Sequence, residues 1–470
     1  MATLDAWRAL VDKELAGAPF DRLVQRTADG LAIEPLYTTA PAGAARPAMR
    51  GEPIRVCMRA RPGEALEHLD GGADALWLDA RDVRGLALAT ERGAVVVVDG
   101  KLDARGVRVS TRPWHDAGAD AADELALALS SAVAQLRAER PADQLWFQVA
   151  VGRDTFGELC KLRALRVVVA KLLAACGADA PIAPPIHAVC SERTLAARDP
   201  WVNLLRVTTQ VFAAAIGGAD LVTPLAFDSA LADQSDLGQR VARNTALVLR
   251  DESQLGRVID AAGGSYYLES RTDGLAREAW RRFQAIERGG GVAKLSPDAL
   301  RERFEATWRA RAAAIAKRKE PVLGVSEFVN LDEVLPSPPV PTRPGLHRDA
   351  ETFEALRAMA EVTPRAVAIA PLGPPAEHRA RVGYTEGLFA VAGLRATVGD
   401  AHDIAVICGS DDRYAIEAAA TARALRAAGA RRVVLAGKPG ALEAELRAAG
   451  VDAFIYVGCD VRATLEELLR

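Results

Sequence analysis

The sequence predicts an α/β protein with two folded parts, a (βα)8 barrel of TIM type followed by a smaller flavodoxin-like doubly wound sheet. Three observations carry this. The chain has 470 residues, and at roughly 100–200 residues per domain that is two to four domains rather than one small module. Short apolar, β-branched runs alternate with stretches of helical period, the signature of parallel strands joined by helices. A proline cluster, Leu335-Pro-Ser-Pro-Pro-Val-Pro-Thr-Arg-Pro-Gly-Leu-His347, interrupts that alternation and denies the backbone both helix and central-strand pairing.

Upstream of the prolines, strand candidates lie at 54–58, 75–78, 95–98, 107–109, 145–151, 186–190, 221–227 and 258–259. Helical-period segments at 123–137, 156–175, 202–216 and 237–250 fall between several of them. About eight repeats over about 290 residues suit a closed barrel better than an open sheet. Downstream, runs at 366–370, 404–408, 433–436 and 453–457 are each followed by a helical segment, the last at 461–469, as a small doubly wound sheet requires. The expected division is an N-terminal extension at 1–50, a barrel at 51–334, a proline-rich linker and helix at 335–362, and the second sheet at 363–470. The extension opens with an amphipathic segment (Trp7, Leu10, Val11, Leu15) and ends in a short alternating stretch. Its apolar residues need cover, either from the chain's own barrel or from a partner subunit.

Composition narrows the function. Half the residues are hydrophobic and 26% are charged, with 59 basic against 62 acidic side chains and a net charge of −3. That balance excludes a disordered or fibrous chain and leaves no electrostatic footprint for nucleic acid or an anionic membrane. Six cysteines (Cys57, Cys160, Cys176, Cys190, Cys408, Cys459) lie far apart, with no C-x-x-C pair and no metal-ligand spacing. They read as thiols in a reducing compartment. With no signal-peptide pattern and no long apolar stretch, the expected location is the cytoplasm.

Generic motifs for phosphate loops, zinc proteases and serine nucleophiles are missing. His187, inside an apolar run, reads first as a hydrogen-bonded core or barrel-mouth histidine and second as a catalytic group. His115, in Pro113-Trp-His-Asp-Ala-Gly118, occupies a strand-to-helix loop where it could contact a ligand or be satisfied by neighbours. Gly263-Gly264-Ser265-Tyr266-Tyr267 reads as a tight turn packed by aromatics, and Gly217-Gly218 as a helix C-cap. Asp400-Ala-His402-Asp403-Ile-Ala405 looks like half of a D-x-H-x-x-G loop, yet it leads into a strand rather than out of one and reads as coincidence.

Five stretches in order resemble the adenosylcobalamin-dependent acyl-CoA mutases, and most closely the small subunits of heterodimeric methylmalonyl-CoA mutases. They are Gly30-Leu-Ala-Ile-Glu-Pro-Leu-Tyr37, Asp199-Pro-Trp-Val-Asn-Leu-Leu-Arg206, Ala213-Ala-Ala-Ile-Gly-Gly-Ala-Asp220, Val241-Ala-Arg-Asn-Thr245 and Asp260-Ala-Ala-Gly-Gly-Ser-Tyr-Tyr267. The resemblance implies the same order of barrel, linker and cobalamin-binding-like sheet. In catalytic relatives a D-x-H-x-x-G loop supplies the histidine that ligates cobalt. Here Pro375 falls on the aspartate, Glu377 on the histidine and Ala380 on the glycine, with His378 one position out of register. The elements around the cofactor's nucleotide tail are altered too, at Gly409-Ser-Asp411 and Ala436-Gly437. Of the family's acyl-CoA contacts, His187 keeps a histidine position and His115 replaces a glutamine, so both read as relics.

The resemblance therefore implies a non-catalytic small subunit. Its partner would be a large catalytic subunit that carries adenosylcobalamin and interconverts (R)-methylmalonyl-CoA and succinyl-CoA by radical rearrangement, an isomerase of propionate metabolism. No cofactor or metal is expected in this chain. Bulky strand candidates, Leu76-Trp-Leu78, 95–98 and Leu145-Trp-Phe147, agree, because a barrel that threads CoA along its axis needs small side chains there. The alternative is an autonomous, diverged acyl-CoA mutase or isomerase using His115 and His187.

Overall fold

The computed structural model describes residues 3–49, 51–98, 101–102, 106–178, 182–399 and 403–470. The first half of the look-alike, residues 400–402, lies outside these residues. The chain groups into two compact units: residues 1–191, 207–225 and 239–307 form the first, and residues 192–206, 226–238 and 308–470 the second.

The first unit opens with a helix, Leu4–Leu15, and a two-residue hairpin of β1 (Gln25–Arg26) and β2 (Ala32–Ile33). Its main sheet contains β3 (Arg55–Arg59), β4 (Ala75–Trp77), β5 (Val95–Val98), β6 (Lys101–Leu102), β7 (Val107–Ser110), β8 (Leu145–Val151), β9 (Ile186–Cys190) and β10 (Leu221–Thr223). The strand order is β6-β5-β4-β3-β10-β9-β8-β7. Last strand beside first, with parallel neighbours in chain order, is the arrangement of a TIM-type barrel, here nearly closed with β6 and β7 at its two ends. All seven residues of β8 are buried, as a parallel strand covered on both faces must be.

The count of eight holds, but its membership differs from expectation. Val258 and Ile259 form no strand; they sit in a turn, 68% and 64% exposed. Two adjacent apolar residues carry no period, so nothing in them distinguishes a strand from a turn. The eighth strand is β6, which runs antiparallel to β5. The run at 221–227 is a strand only over Leu221–Thr223.

Three long helices flank this sheet, and each starts on a side-chain cap that satisfies an otherwise orphaned N–H. Asp120 caps Ala121–Arg137 through the Asp123 N–H at 2.8 Å, Asp154 caps Thr155–Ala175 through Gly157, and Ser265 caps Tyr266–Arg288 through Leu268. Helix Tyr266–Arg288 packs on both of the others. Arg163, with no exposed side chain, ties helix Thr155–Ala175 to the Asp260 carboxylate at 2.8 Å twice and to Thr272 at 2.9 Å.

The extension divides in two. Leu31 lies against Gly274, the Tyr37 ring meets Tyr267 at a tilt with centroids 5.4 Å apart, and the Asp29 carbonyl accepts from Arg282 at 3.2 Å, so the stretch around Gly30–Tyr37 is covered by the unit's own helix Tyr266–Arg288. Helix Leu4–Leu15 buries none of its residues, and Leu4 and Leu10 are 55% and 63% exposed.

The second unit holds a five-stranded, all-parallel sheet: β11 (Val367–Pro371), β12 (Ala396–Val398), β13 (Ile404–Cys408), β14 (Arg432–Ala436) and β15 (Ala453–Ile455), in the order β12-β11-β13-β14-β15. This is the 2-1-3-4-5 order of flavodoxin-like sheets. Alternate residues feed two cores. Val367, Ile369, Val406 and Val434 meet Phe353, Leu388, Phe389 and Leu465 on one face. Ala368, Ala405, Ile407, Val433 and Leu435 meet Tyr414, Ala422 and Leu446 on the other. Among the described residues no helix is long and apolar enough to cross a membrane.

Candidate functional site

In a TIM-type barrel the carboxyl ends of the strands carry the site. His187 lies within the barrel with no exposed surface. Its Nδ1 accepts from the Gln148 amide on β8 at 3.2 Å, and its Nε2–H donates to the Thr223 hydroxyl on β10 at 2.7 Å. Trp146 stacks on the ring and Trp77 meets it edge-on, with centroids 6.3 Å and 5.8 Å away. Burial, aided by Arg112 and Arg108, pushes the imidazole down to about 3, so it is neutral at physiological pH. Trp146 and Trp77 pack with Cys57, Ala75, Val95, Val97 and Leu221 to fill the interior. Guanidiniums of Arg59 and Arg112 lie 5.3 Å and 5.1 Å from the Trp77 ring. Burial raises the thiols of Cys57 and Cys190 to about 12, leaving neither as a nucleophile.

His115 belongs to a separate buried network. Its Nδ1–H donates to Glu124 at 2.9 Å, and its Nε2 lies 2.7 Å from the Ser191 hydroxyl. Glu124 also accepts from Thr111 at 2.9 Å and faces the Lys161 ammonium at 3.4 Å, while Lys161 pairs with Glu158 at 2.6 Å. The Ser–His–Glu order resembles a nucleophilic triad, but Ser191, His115 and Glu124 are 1%, 0% and 2% exposed. With all three side chains buried, the Ser191 hydroxyl has no open approach for a substrate in this structure.

The two sequence-predicted histidines are thus each saturated at both ring nitrogens. Gln148, Thr223, Glu124, Lys161 and Ser191 escaped sequence reading. The one signal in the sequence was the i,i+3 spacing of Glu158 and Lys161 in a helix that also carries Arg163, Arg166 and Lys171.

In the second unit, Pro375 opens the helix Pro375–Ala390 directly after β11. Glu377 receives Arg413 at 2.8 Å across the ends of β11 and β13, and that cation holds its carboxyl below the ordinary range. The Arg381 side chain reaches Asp411 at 2.6 Å and the Gly409 carbonyl. Ala380 is exposed, and His378 is half-buried with its Nδ1 unpaired. No cluster of side chains that could hold a metal ion occurs among the described residues.

The stretches that carry the resemblance make structural contacts. Asn203 of Asp199–Arg206 donates to the Ala196 and Phe227 carbonyls at 2.7 Å each, Arg243 of Val241–Thr245 reaches the Glu67 carbonyl, and Tyr267 supports Tyr37.

A nearly closed barrel-like sheet and a separate parallel sheet of order 2-1-3-4-5 make this a two-unit α/β protein. The methylmalonyl-CoA mutase sequence profile matches residues 102–405, and the chain belongs to that family. It is 39% identical over 401 residues to the methylmalonyl-CoA mutase small subunit of Streptomyces virginiae, covering 78% of this chain and 64% of that one. It is 39% identical over 409 residues to the probable small subunit of Mycobacterium tuberculosis (80% and 66%). It is 34% identical over 405 residues to that of Propionibacterium freudenreichii (78% and 63%). The chain therefore spans about two thirds or slightly less of the length of these relatives.

Proposed function

We propose that this chain is a non-catalytic small subunit of a methylmalonyl-CoA mutase, stabilising a large subunit that interconverts (R)-methylmalonyl-CoA and succinyl-CoA. The observation that carries this reading is the filled barrel: Trp77 and Trp146 stand where an acyl-CoA arm would have to run. The names of the relatives support it. A heterodimer with the large subunit follows from the same reading, as does a cytoplasmic location, which the six unpaired thiols support.

Adenosylcobalamin belongs in this reading to the large subunit. The residues here do not suit it. A carboxylate already paired with Arg413 stands where the resemblance places the cobalt-ligating histidine, Ala380 replaces the glycine, and Pro375 at the helix start replaces the aspartate. His378 is offset by one residue, about 100° around a helix, so its ring does not take Glu377's place.

The autonomous-enzyme reading is not favoured, since His115 and His187 are fully buried with both ring nitrogens engaged. The test is to purify the chain alone and with a large mutase subunit, then measure cobalamin absorbance and methylmalonyl-CoA isomerisation. The expected result is no cofactor and no turnover alone, with a stable, active one-to-one complex in the mixture. Turnover or cofactor binding by the lone chain overturns the reading.

A further inference from the structure

Ligands of open α/β sheets sit beyond the carboxyl ends of the strands, near the point where the strand order reverses. In the second unit the order reverses between β11 and β13, and beside it the chain's own side chains fill the crevice over the ends of β13 and β14. Tyr414, 4% exposed, stands over the ends of β13 and β14. Its hydroxyl accepts from the Gly409 N–H at 2.9 Å and donates to the Ala436 carbonyl at 2.7 Å, with the Ile407 carbonyl at 3.2 Å. One phenol thus satisfies backbone groups that a bound ligand would otherwise meet.

Three further features fit the ring to this place. A Cβ at Gly437 would lie 3.0 Å from the Tyr414 ring, and one at Gly409 3.3 Å from it, so two glycines form a cradle that side chains would crowd. Arg381 crosses from helix Pro375–Ala390 and caps the ring at 4.6 Å from its centroid. The helix carrying Tyr414 widens into a π-turn over Tyr414–Ala418, a device that re-aims a side chain and recurs at functional sites.

We propose that the Tyr414 phenol is the built-in occupant of this crevice, and that cutting it back exposes a latent site for a small phenol. The inference deepens the reading of a cofactor-free subunit by naming what takes the ligand's place. It stands on the crevice alone, however, and holds whether or not a large subunit is bound.

The test uses the full chain carrying Tyr414→Ala. The variant should retain its circular dichroism spectrum and melt at lower temperature. It should bind p-cresol, the missing side chain, at one molecule per chain, with a saturable rise in Tm; an apolar, hydrogen-bonding void of this kind takes up a matching aromatic. The wild-type chain should not bind it. A folded Tyr414→Ala that ignores p-cresol, or a wild-type chain that binds it equally, overturns the proposal. Should Tyr414→Ala fail to fold, Tyr414→Phe keeps the ring and removes the hydroxyl. The Gly409 amide, left without its acceptor, should then exchange with solvent about tenfold faster, and unchanged exchange overturns the proposal. Neither readout involves mutase activity, so failure here and failure of the subunit reading are distinguishable.

Discussion

Replacing His187 by glutamine should remove most of one particular kind of acid sensitivity from the first unit. The folded imidazole titrates at about 3 against an ordinary value of 6.5, the fall being caused first by burial and then by the nearby Arg112 and Arg108. Because the folded value is the lower one, the unfolded chain takes up this proton first as pH falls. The contribution is therefore fully present above pH 6.5 and is lost progressively towards pH 3. Each pH unit well inside that window is worth about 1.4 kcal/mol, so descending from pH 6.5, where the unfolded imidazole is already half protonated, to 4.5 should cost wild type roughly 2 kcal/mol through this residue alone. His187→Gln is less stable at pH 7, since its side chain cannot reproduce the 3.2 Å and 2.7 Å bonds to Gln148 and Thr223, but it lacks the extra slope. Urea unfolding followed by tryptophan fluorescence at pH 4.5, 5.5, 6.5 and 7.5 separates the two, because the other titrating groups act on both proteins alike. Parallel stability–pH curves would refute the neutral, caged histidine. They would also revive a catalytic role, since a general acid or base works best with a pKa near the operating pH.

Trp146→Ala should destabilise the first unit by about 3–5 kcal/mol, read by thermal or urea melts, because Trp146 is 1% exposed and fills the barrel beside His187; a loss under 1 kcal/mol would mean the axis is not packed. Glu124→Ala, which takes one carboxylate partner from Lys161 and removes acceptors from His115 and Thr111, should cost about 3–5 kcal/mol, whereas Glu124→Met combined with Lys161→Met should recover part of that loss in the same melts. Deleting residues 1–18 removes the helix Leu4–Leu15, which buries nothing of its own, yet spares the stretch that packs on helix Tyr266–Arg288. In a pull-down the shortened chain should lose the large subunit while keeping its circular dichroism spectrum, and retained binding would place the interface elsewhere.

Much of the architecture was legible in the sequence for a physical reason. Parallel strands buried on both faces read as near-continuous apolar runs; β13 is such a run, and β8 and β9 are broken only by Gln148 and His187. Short or edge elements were not legible. Lys101–Leu102 is a two-residue strand whose pairing depends on its neighbour β5, and Val258–Ile259 is an apolar pair that the turn leaves in solvent. Site chemistry was legible only as residue types. His187 could be read as a core histidine, but its partners lie 39 and 36 residues away on other strands, and Ser191 lies 76 residues from His115. Tyr414 carried no sequence signal at all: its role exists only because Gly409, Gly437 and Arg381 converge on it from three separate elements.

The two units, each taken by itself, share one physical solution. At the carboxyl ends of its strands the first places Trp77 under the cations Arg59 and Arg112, and the second places Tyr414 under Arg381. An aromatic side chain in such a place buries about 150–250 Å², and at about 25 cal/mol per Å² that is roughly 4–6 kcal/mol, a large share of the 5–15 kcal/mol by which a domain is stable. A channel or cleft kept open for a ligand forgoes that contribution and recovers it only while the ligand is bound. A chain with the role proposed here, holding a partner in shape, has the opposite requirement: its stability should not vary with the supply of a small molecule. Filling both ligand positions with covalently attached aromatics meets that requirement.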